Sequence, residues 1–389
     1  MKQIMGGFFL ALMLYAVPAL AEIGFAEVKQ SDVNLRETPG GARVCYLDAG
    51  YDVYVFEEKL VNGQLWCHVY TDVRQRTRAA WIRGDMLRFL SDEFYDVVSV
   101  QAGNCYVTGL RADGTVAIMG NDLPHMPCID EVRSWGAIAQ VSSSTCSVYA
   151  LDHGGNLFAA GNNSWYGAEQ AAKISGDEPI LLDQAGRVMA HTWMSEEELA
   201  VKEFFLADDV VGGLVAHTWT DEEAVQRSPA DEVQDVQFQE VITSLRQLYG
   251  GLTRDGQVLC LGEYAPYQKE FENGPYVDID NDWQLIAAVR ADGRVDAATR
   301  PGRYDGSTAR DVCRTENWEC VIKVATGTNH TLGLRDDGRV YYAGPDNAHM
   351  MQVESWTDVV DIAAGNNCSV ALKRDGSVVM AGTYRAYDR

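Results

Sequence analysis

A short β-hairpin pattern that recurs between residues 110 and 378 constrains the fold of this chain most. Each copy has an apolar residue, two further residues, Asp-Gly, one residue and a second apolar residue. Asp-Gly between apolar runs predicts a tight type I′ hairpin, because both residues tolerate a positive φ. The copies begin at Leu110, Leu252, Val289, Leu334 and Leu372, with a degraded copy at Leu151.

The spacing of these hairpins predicts a repeat architecture. Successive turn glycines are 41, 101, 37, 45 and 38 residues apart, and apolar strands precede most of the hairpins. A weak copy at 182–188 and the duplicated strands 189–193 and 215–219 occupy the long interval. Seven units in residues 91–389 average about 43 residues, the size of a four-stranded propeller blade. The predicted fold class is all-β, a seven-bladed β-propeller with an irregular blade at about 163–229.

One repeat carries a resemblance to a known family. Residues 358–378 read Asp-Val-Val-Asp-Ile-Ala-Ala-Gly-Asn-Asn-Cys-Ser-Val-Ala-Leu-Lys-Arg-Asp-Gly-Ser-Val. They resemble the regulator of chromosome condensation repeat, and residues 324–344 resemble it too. The resemblance implies a seven-bladed propeller that acts as a rigid disc, with loops that form a protein-binding face.

The first 21 residues are predicted to be a secretory signal peptide. Lys2 precedes an apolar run at 4–17, which ends in Pro18 and the small-x-small sequence Ala19-Leu20-Ala21. This ending favours cleavage over the alternative, a membrane anchor. The mature chain is therefore expected to start at Glu22 without an integral membrane span. Its predicted location is secreted or extracytoplasmic, in the periplasm or at the cell surface.

Residues 23–90 are predicted to form a small N-terminal β-barrel, because five short β-rich runs alternate with turn signals. Val33-Asn34-Leu35-Arg36 before Pro-Gly, together with Ala80-Trp81-Ile82, resembles the bacterial Src homology 3 domain. The resemblance implies a module that binds cell-wall material, such as peptidoglycan, or a peptide. Core packing is the alternative role for the tryptophan. The candidate ligand-binding residues are Tyr46, Tyr51, Tyr54 and Trp81.

Export changes the interpretation of the nine cysteines. Cys313 and Cys320 lie in one predicted loop, and an oxidising compartment favours a disulfide between them. Cys45 and Cys67 lie on two predicted strands of the barrel. They are either a second disulfide or two buried small hydrophobic residues.

Charge and motifs exclude several functions. The chain has 32 basic and 56 acidic residues, a formal charge of −24, which argues against nucleic acid as a partner. The same charge, with export, argues against the founding activity of the resembled family, nucleotide exchange on a nuclear GTPase. Serine-hydrolase, zinc-protease and phosphate-loop motifs are missing. No catalytic residue, cofactor or metal site is predicted.

The candidate binding site of the propeller consists of the short loops that follow the first strand of each repeat. Repeats related by rotation place equivalent loops on one rim. Trp283 and His330 are expected to contribute most to binding, although Asn and Asp in such loops also serve as turn formers. The candidate residues are Asn104, Thr145, Asp282, Trp283, Asn329, His330, Asn366 and Asn367.

These features together predict an exported, non-catalytic binding protein. Its propeller would recognise an unknown protein or peptide, and its barrel would bind the cell wall. Two alternatives stay open from the sequence. One is an enzyme, a hydrolase or lyase, with its site in the propeller channel. The other is a secreted inhibitor of another protein.

Overall fold

The computed structural model describes two separate units. One unit ends at Asp92 and the other begins at Glu93. The signal segment, Thr145, Trp283 and most of the predicted irregular blade lie outside the described residues. The structure describes residues 24–72, 77–104, 106–120, 129–144, 147–161, 171–175, 180–182, 238–244, 247–282, 285–299, 312–345 and 350–382.

The first unit is a seven-stranded antiparallel sheet in the order β3-β2-β6-β5-β4-β1-β7. A 3₁₀ turn at Gly84–Met86 precedes β7, and the short helix α1, Leu90–Glu93, follows it. The long β4–β5 hairpin turns at Asn62 and Gly63, with φ of 52° and 77°. The strands are β1 Gly24–Val28, β2 Val33–Arg36, β3 Arg43–Leu47, β4 Asp52–Val61, β5 Gln64–Asp72, β6 Thr77–Arg83 and β7 Leu87–Phe89.

Alternation along the central strands separates a core side from an outer side of this sheet. Val53 and Val55 of β4, and Cys67 and Val69 of β5, are buried in one apolar cluster. The residues between them, such as Tyr54, therefore point to the opposite side.

The second unit consists of six three-stranded antiparallel sheets and one two-stranded sheet among its described residues. The first four sheets contain β8 Val97–Ala102, β9 Tyr106–Arg111, β10 Val116–Gly120; β11 Ile138–Ser143, β12 Ser147–Asp152, β13 Leu157–Gly161; β14 Lys173–Ser175, β15 Ile180–Leu182; β16 Phe238–Ser244, β17 Gln247–Thr253 and β18 Val258–Cys260. The other three contain β19 Tyr276–Asp282, β20 Leu285–Arg290, β21 Val295–Thr299; β22 Val321–Gly327, β23 His330–Arg335, β24 Val340–Ala343; β25 Val359–Ala364, β26 Cys368–Lys373 and β27 Val378–Gly382. The connections include helix α2, Ile129–Arg133, and 3₁₀ segments at Gly262–Phe271 and Met350–Ser355.

The first strands of these sheets form a closed ring. In chain order β8, β11, β14, β16, β19, β22 and β25 each contact the next, and β25 contacts β8. The first strands therefore line the inside of the ring, and the second and third strands lie progressively further out. An all-β ring of three-stranded antiparallel sheets is the arrangement of a β-propeller.

The predicted hairpins are present, but their turn type differs from the prediction. Only the glycine of each Asp-Gly pair takes a positive φ, for example 81° at Gly114 and 79° at Gly338. Gly114 N–H donates to the Arg111 carbonyl, which is the closure of a type I turn followed by a left-handed glycine. Aspartate precedes the glycine because its carboxylate accepts an N–H two residues on, at 2.9 Å between Thr115 N and Asp113 Oδ1.

The disulfide predicted between Cys313 and Cys320 is wrong, and of the two alternatives for Cys45 and Cys67 the disulfide is not formed. Cys313 and Cys320 are free thiols. Cys320 is exposed just before β22, whereas burial raises the pKa of the Cys313 thiol to about 12. Cys45 and Cys67 lie on β3 and β5, which two other strands separate in the sheet, and they are not bonded to each other.

Candidate functional site

A ring of polar side chains lines the inside of the second unit. It consists of the third residue of each first strand. In the two-stranded sheet this residue is Lys173, because Ala171 N–H makes the hydrogen bond that the first residue makes in other first strands. We call this set the polar ring. Its members are Ser99, Gln140, Lys173, Glu240, Asp278, Lys323 and Asp361.

The polar ring joins neighbouring sheets through the backbone. Val324 N–H donates to Asp278 Oδ2 at 2.7 Å. At the joint between the last sheet and the first, Val100 N–H donates to Asp361 Oδ2 at 3.0 Å. Ile174 N–H donates to Gln140 Oε1 at 3.0 Å, and the Gln140 amide donates back to the Ile174 carbonyl at 2.6 Å. In these three joints the donor directly follows the ring position of its own strand.

Two further carboxylates continue these bonds between β19 and β22. Asp280 Oδ2 accepts from Thr326 N at 2.6 Å and from Thr326 Oγ1 at 3.1 Å. Thr328 Oγ1 lies 3.2 Å from Asp282 Oδ2. Asp282, predicted as a partner contact, therefore also takes part in the joint between two sheets.

Two lysines offset part of the negative charge inside the ring. Lys323 Nζ lies 2.5 Å from Asp361 Oδ1, and Lys173 Nζ lies 3.1 Å from Glu240 Oε1. Burial, with repulsion from Glu240, raises the pKa of Asp278 well above its ordinary value. Burial also raises the pKa of Asp280, to about 7. The interior of the ring thus holds more carboxylates than it can readily keep ionised.

The loops at the end of β8, β22 and β25 meet at one end of the ring. A Cβ on Gly327 would lie 2.2 Å from the Gly365 carbonyl oxygen, and one on Gly365 would lie 2.4 Å from the Gly103 carbonyl oxygen. The half-buried asparagines next to these glycines therefore share one end of the ring. We call them the amide rim: Asn104, Asn329, Asn366 and Asn367.

The structure corrects the role predicted for His330. Its side chain is 1% exposed, so it cannot contact a partner at the rim. Nε2 lies 3.1 Å from Ser369 Oγ in the next sheet, and burial lowers the pKa of the imidazole to about 3. His330 is therefore a neutral packing residue between two sheets. Tyr106 is also the first residue of a second strand, and its single hydroxyl proton is shared between the Ser144 and Ser147 carbonyls of the next sheet, which lie 2.6 and 2.7 Å from Oη.

A row of aromatic side chains covers the outer side of the N-terminal sheet. Phe56 contacts Tyr70 with ring centroids 4.4 Å apart and His68 at 4.3 Å. His68 stacks on Trp81 at 4.5 Å with an interplanar angle of 6°. We call this set, with Tyr54 beside it, the aromatic face. Sequence reasoning missed Phe56, His68 and Tyr70, although their alternation with buried valines marks them as outward.

The four predicted barrel residues do not form one group. Tyr54 lies on the outer side against Phe25, at a centroid distance of 5.5 Å, and Trp81 belongs to the aromatic face but is 8% exposed. Tyr46 is exposed on β3. Tyr51 is half-buried and packs against the core cluster.

The described part of the chain contains no group of three or more histidine, cysteine or acidic residues placed to hold a metal ion. None of the helices described is long and apolar enough to cross a membrane.

Comparison with known proteins identifies one repeat. The family model of the "Regulator of chromosome condensation (RCC1) repeat" matches residues 321–349, which include β22, β23 and β24. The chain thus carries a repeat of the RCC1 type within its ring of sheets. No curated protein matches the chain.

Several solved structures match the chain at low identity. The ectodomain of the receptor kinase CR4 from Physcomitrella patens is 15% identical, with a TM-score of 0.34, over 74% of this chain and 64% of that one, less than two thirds of its length. The CRINKLY WD40 ectodomain of the Arabidopsis thaliana receptor kinase ACR4 is 11% identical, with a TM-score of 0.38, over 92% and 96%. Yeast RCC1 (Prp20), crystallised with Kap60, is 14% identical, with a TM-score of 0.35, over 81% and 75%.

Proposed function

We propose that this chain is an exported, non-catalytic binding protein whose ring of sheets, a seven-bladed propeller, recognises a protein or peptide partner. The observation that carries the proposal is the amide rim. Loops from sheets far apart in sequence meet at one end of a closed ring and present side-chain amides there.

The frame behind the rim is suited to recognition. Neighbouring first strands are joined by backbone N–H groups that donate to Asp278 and Asp361, and by the Lys323–Asp361 ion pair. A loop held on such a frame loses little conformational entropy when a partner binds. The side-chain amides of Asn329, Asn366 and Asn367 each carry a donor and an acceptor, so they can pair with the backbone of a peptide. The Oδ1 atom of Asn104 is buried.

The N-terminal unit supports a second binding role in the same protein. We propose that it is a barrel of the Src homology 3 type that attaches the exported protein to cell-wall peptide. The rings of its aromatic face are half-buried except that of Trp81, which is buried, and Arg36 is the register partner of Trp81. Aromatic residues supply large contact areas at low cost in conformational entropy.

The amide rim is tested by capture from the exported proteome of the source cells. The full chain is immobilised beside a triple Asn329→Ala/Asn366→Ala/Asn367→Ala variant. A partner retained by the wild type is expected to bind the triple variant at least about 10-fold more weakly, because several interfacial hydrogen bonds are lost together. Gln257→Ala removes an exposed amide after an Asp-Gly turn and serves as the matched control. Equal binding of the partner to all three proteins would exclude the amide rim.

The aromatic face is tested by co-sedimentation of the full chain with purified peptidoglycan. Tyr54→Ala/Tyr70→Ala is expected to reduce the bound fraction at least about 5-fold, since each ring contributes roughly 1 kcal/mol of contact energy. Leu60→Ala, which truncates an exposed residue at the tip of the β4–β5 hairpin, should sediment like the wild type. If the wild type itself stays in the supernatant, the proposed wall attachment is wrong.

A further inference from the structure

The second residue of each first strand is exposed at the mouth of the ring opposite the amide rim. Six of these residues are apolar, and we call them the apolar mouth; the seventh position holds Gln239. The large members are exposed by 54% at Val98, 47% at Val277, 53% at Ile322 and 41% at Val360. The apolar mouth consists of Val98, Ala139, Ala172, Val277, Ile322 and Val360.

A β-bulge accounts for this exposure. The pairing of β22 with β23 shifts between Val321 and Lys323, and the same shift occurs between Val359 and Asp361. The residue that the register skips has no partner on the second strand. Its side chain therefore departs from the alternation between core-facing and solvent-facing positions. The repeated bulge therefore places an apolar side chain outside the core in successive sheets.

Hydrogen bonds show that these residues lie at one end of the ring. Ile138 N–H donates to the carbonyl of Gly114, and Val359 N–H donates to that of Gly338, both at 2.9 Å. Five of the first strands, β11, β14, β19, β22 and β25, thus begin beside the turn glycine of the preceding sheet. The bond from Val100 N–H to Asp361 places β8 at the same level. The amide rim lies where the same strands end, so the two surfaces are separate.

The position of these residues argues against a chance distribution of surface side chains. Single exposed apolar residues are normal on any protein. Here, all but one of the exposed large hydrophobic residues described in the second unit occupy the same position in the repeat, the exception being Tyr95. Apolar side chains gathered around one opening form the kind of patch that marks an interaction site.

Most of the charged side chains inside the ring, next to the apolar mouth, are acidic. One residue further along the strands lies the polar ring, where Glu240, Asp278 and Asp361 face Lys173 and Lys323. Asp280 adds a further carboxylate, so acidic groups outnumber basic ones inside the ring. The chain as a whole carries a formal charge of −24. Asp278 and Asp280 resist ionisation because of burial and of the neighbouring carboxylates. A cation that entered the channel would favour their ionised forms, whereas an anionic group would be repelled.

We propose that the apolar mouth binds a protruding peptide segment of a basic protein partner. Apolar side chains of the segment contact the valines and Ile322 around the opening. A lysine or arginine of the segment points into the channel toward Asp278 and Asp280. This surface does not depend on the amide rim.

The test is a fluorescence anisotropy titration of labelled ten-residue peptides with the full chain. Three peptides of equal length are used: one of leucine and lysine, one of leucine and glutamate, and one of serine and lysine. The leucine–lysine peptide is expected to bind at least 10-fold more tightly than either of the others. Ile322→Ser/Val360→Ser is expected to weaken its binding at least 10-fold. Both residues are exposed, so this variant should retain the circular dichroism spectrum and melting temperature of the wild type.

Control variants separate this surface from the others. Leu60→Ser removes an exposed leucine in the N-terminal unit, and the triple asparagine variant removes the amide rim; both should bind the leucine–lysine peptide like the wild type. Equal binding of the leucine–lysine and leucine–glutamate peptides would overturn the proposal, as would binding unaffected by Ile322→Ser/Val360→Ser. Loss of binding to phosphatidylcholine–phosphatidylglycerol vesicles in that same variant would instead assign the mouth to a membrane and overturn a peptide partner.

Discussion

Replacement of Lys323 by methionine is expected to destabilise the ring of sheets by about 1 to 3 kcal/mol, between the values for an exposed and a buried ion pair, because the Lys323 side chain is 35% exposed. The Lys323 ammonium lies 2.5 Å from Asp361 Oδ1, and its charge also stabilises the ionised forms of Asp278 and Asp280. Removing the cation leaves carboxylates inside the ring with less compensation. Methionine has a similar length, so the loss reflects charge more than cavity volume.

Urea unfolding followed by circular dichroism measures this loss. Lys269→Met removes the exposed Lys269–Glu270 pair and should cost less than about 1 kcal/mol, as is usual for surface ion pairs. The double variant Lys323→Met/Asp361→Asn should recover part of the stability, because the second change removes one of the uncompensated charges. A Lys323→Met variant as stable as Lys269→Met would show that the ion pair does not hold the sheets together.

The hairpins were predictable because their signal is local. Asp-Gly turns are determined by the φ that glycine allows and by the carboxylate that binds the next N–H, both within five residues. The repeat length then limited the fold to a ring of sheets. The exact turn type was missed because aspartate favours both a type I′ turn and a type I turn followed by a left-handed glycine.

Features that depend on register were not predictable. In Val97-Val98-Ser99-Val100 the sequence shows three apolar residues that look equally buried. The bulge between Val97 and Ser99 exposes Val98 and turns Ser99 toward the inside of the ring. Such a shift results from pairing with a second strand, and no property of the residue itself signals it.

Contacts between neighbouring sheets could not be predicted from the sequence either. His330 looked like a loop residue at the rim because it follows Thr328-Asn329. In the structure it begins β23 and packs against Ser369, which comes from the next sheet. Cys313 and Cys320 are close in sequence, but one is half-buried and the other is exposed. Their closeness in sequence was therefore not enough to predict a disulfide between them.

Replacement of Gly365 by alanine is expected to destabilise the second unit by about 3 kcal/mol, at the upper end of the usual cost of overpacking. Gly365 lies at the joint where the last sheet meets the first. A Cβ there would be 2.4 Å from the Gly103 carbonyl oxygen and 3.0 Å from Cys368 Sγ. The nearest obstacle is backbone, which cannot rotate away as a flexible side chain can. The added methyl group must therefore separate the two sheets at the closure of the ring.

The matched control for this substitution is Gly136→Ala. Gly136 has nothing within 4 Å of an added Cβ, so its change is expected to alter stability by less than about 1 kcal/mol. Chemical denaturation of both variants gives the comparison, and near-ultraviolet circular dichroism reports whether the aromatic packing between sheets survives. Closure of the ring requires the first and last sheets to approach at Gly365 as closely as the structure shows. Equal stability of the Gly365→Ala and Gly136→Ala variants would therefore mean that the sheets do not meet there.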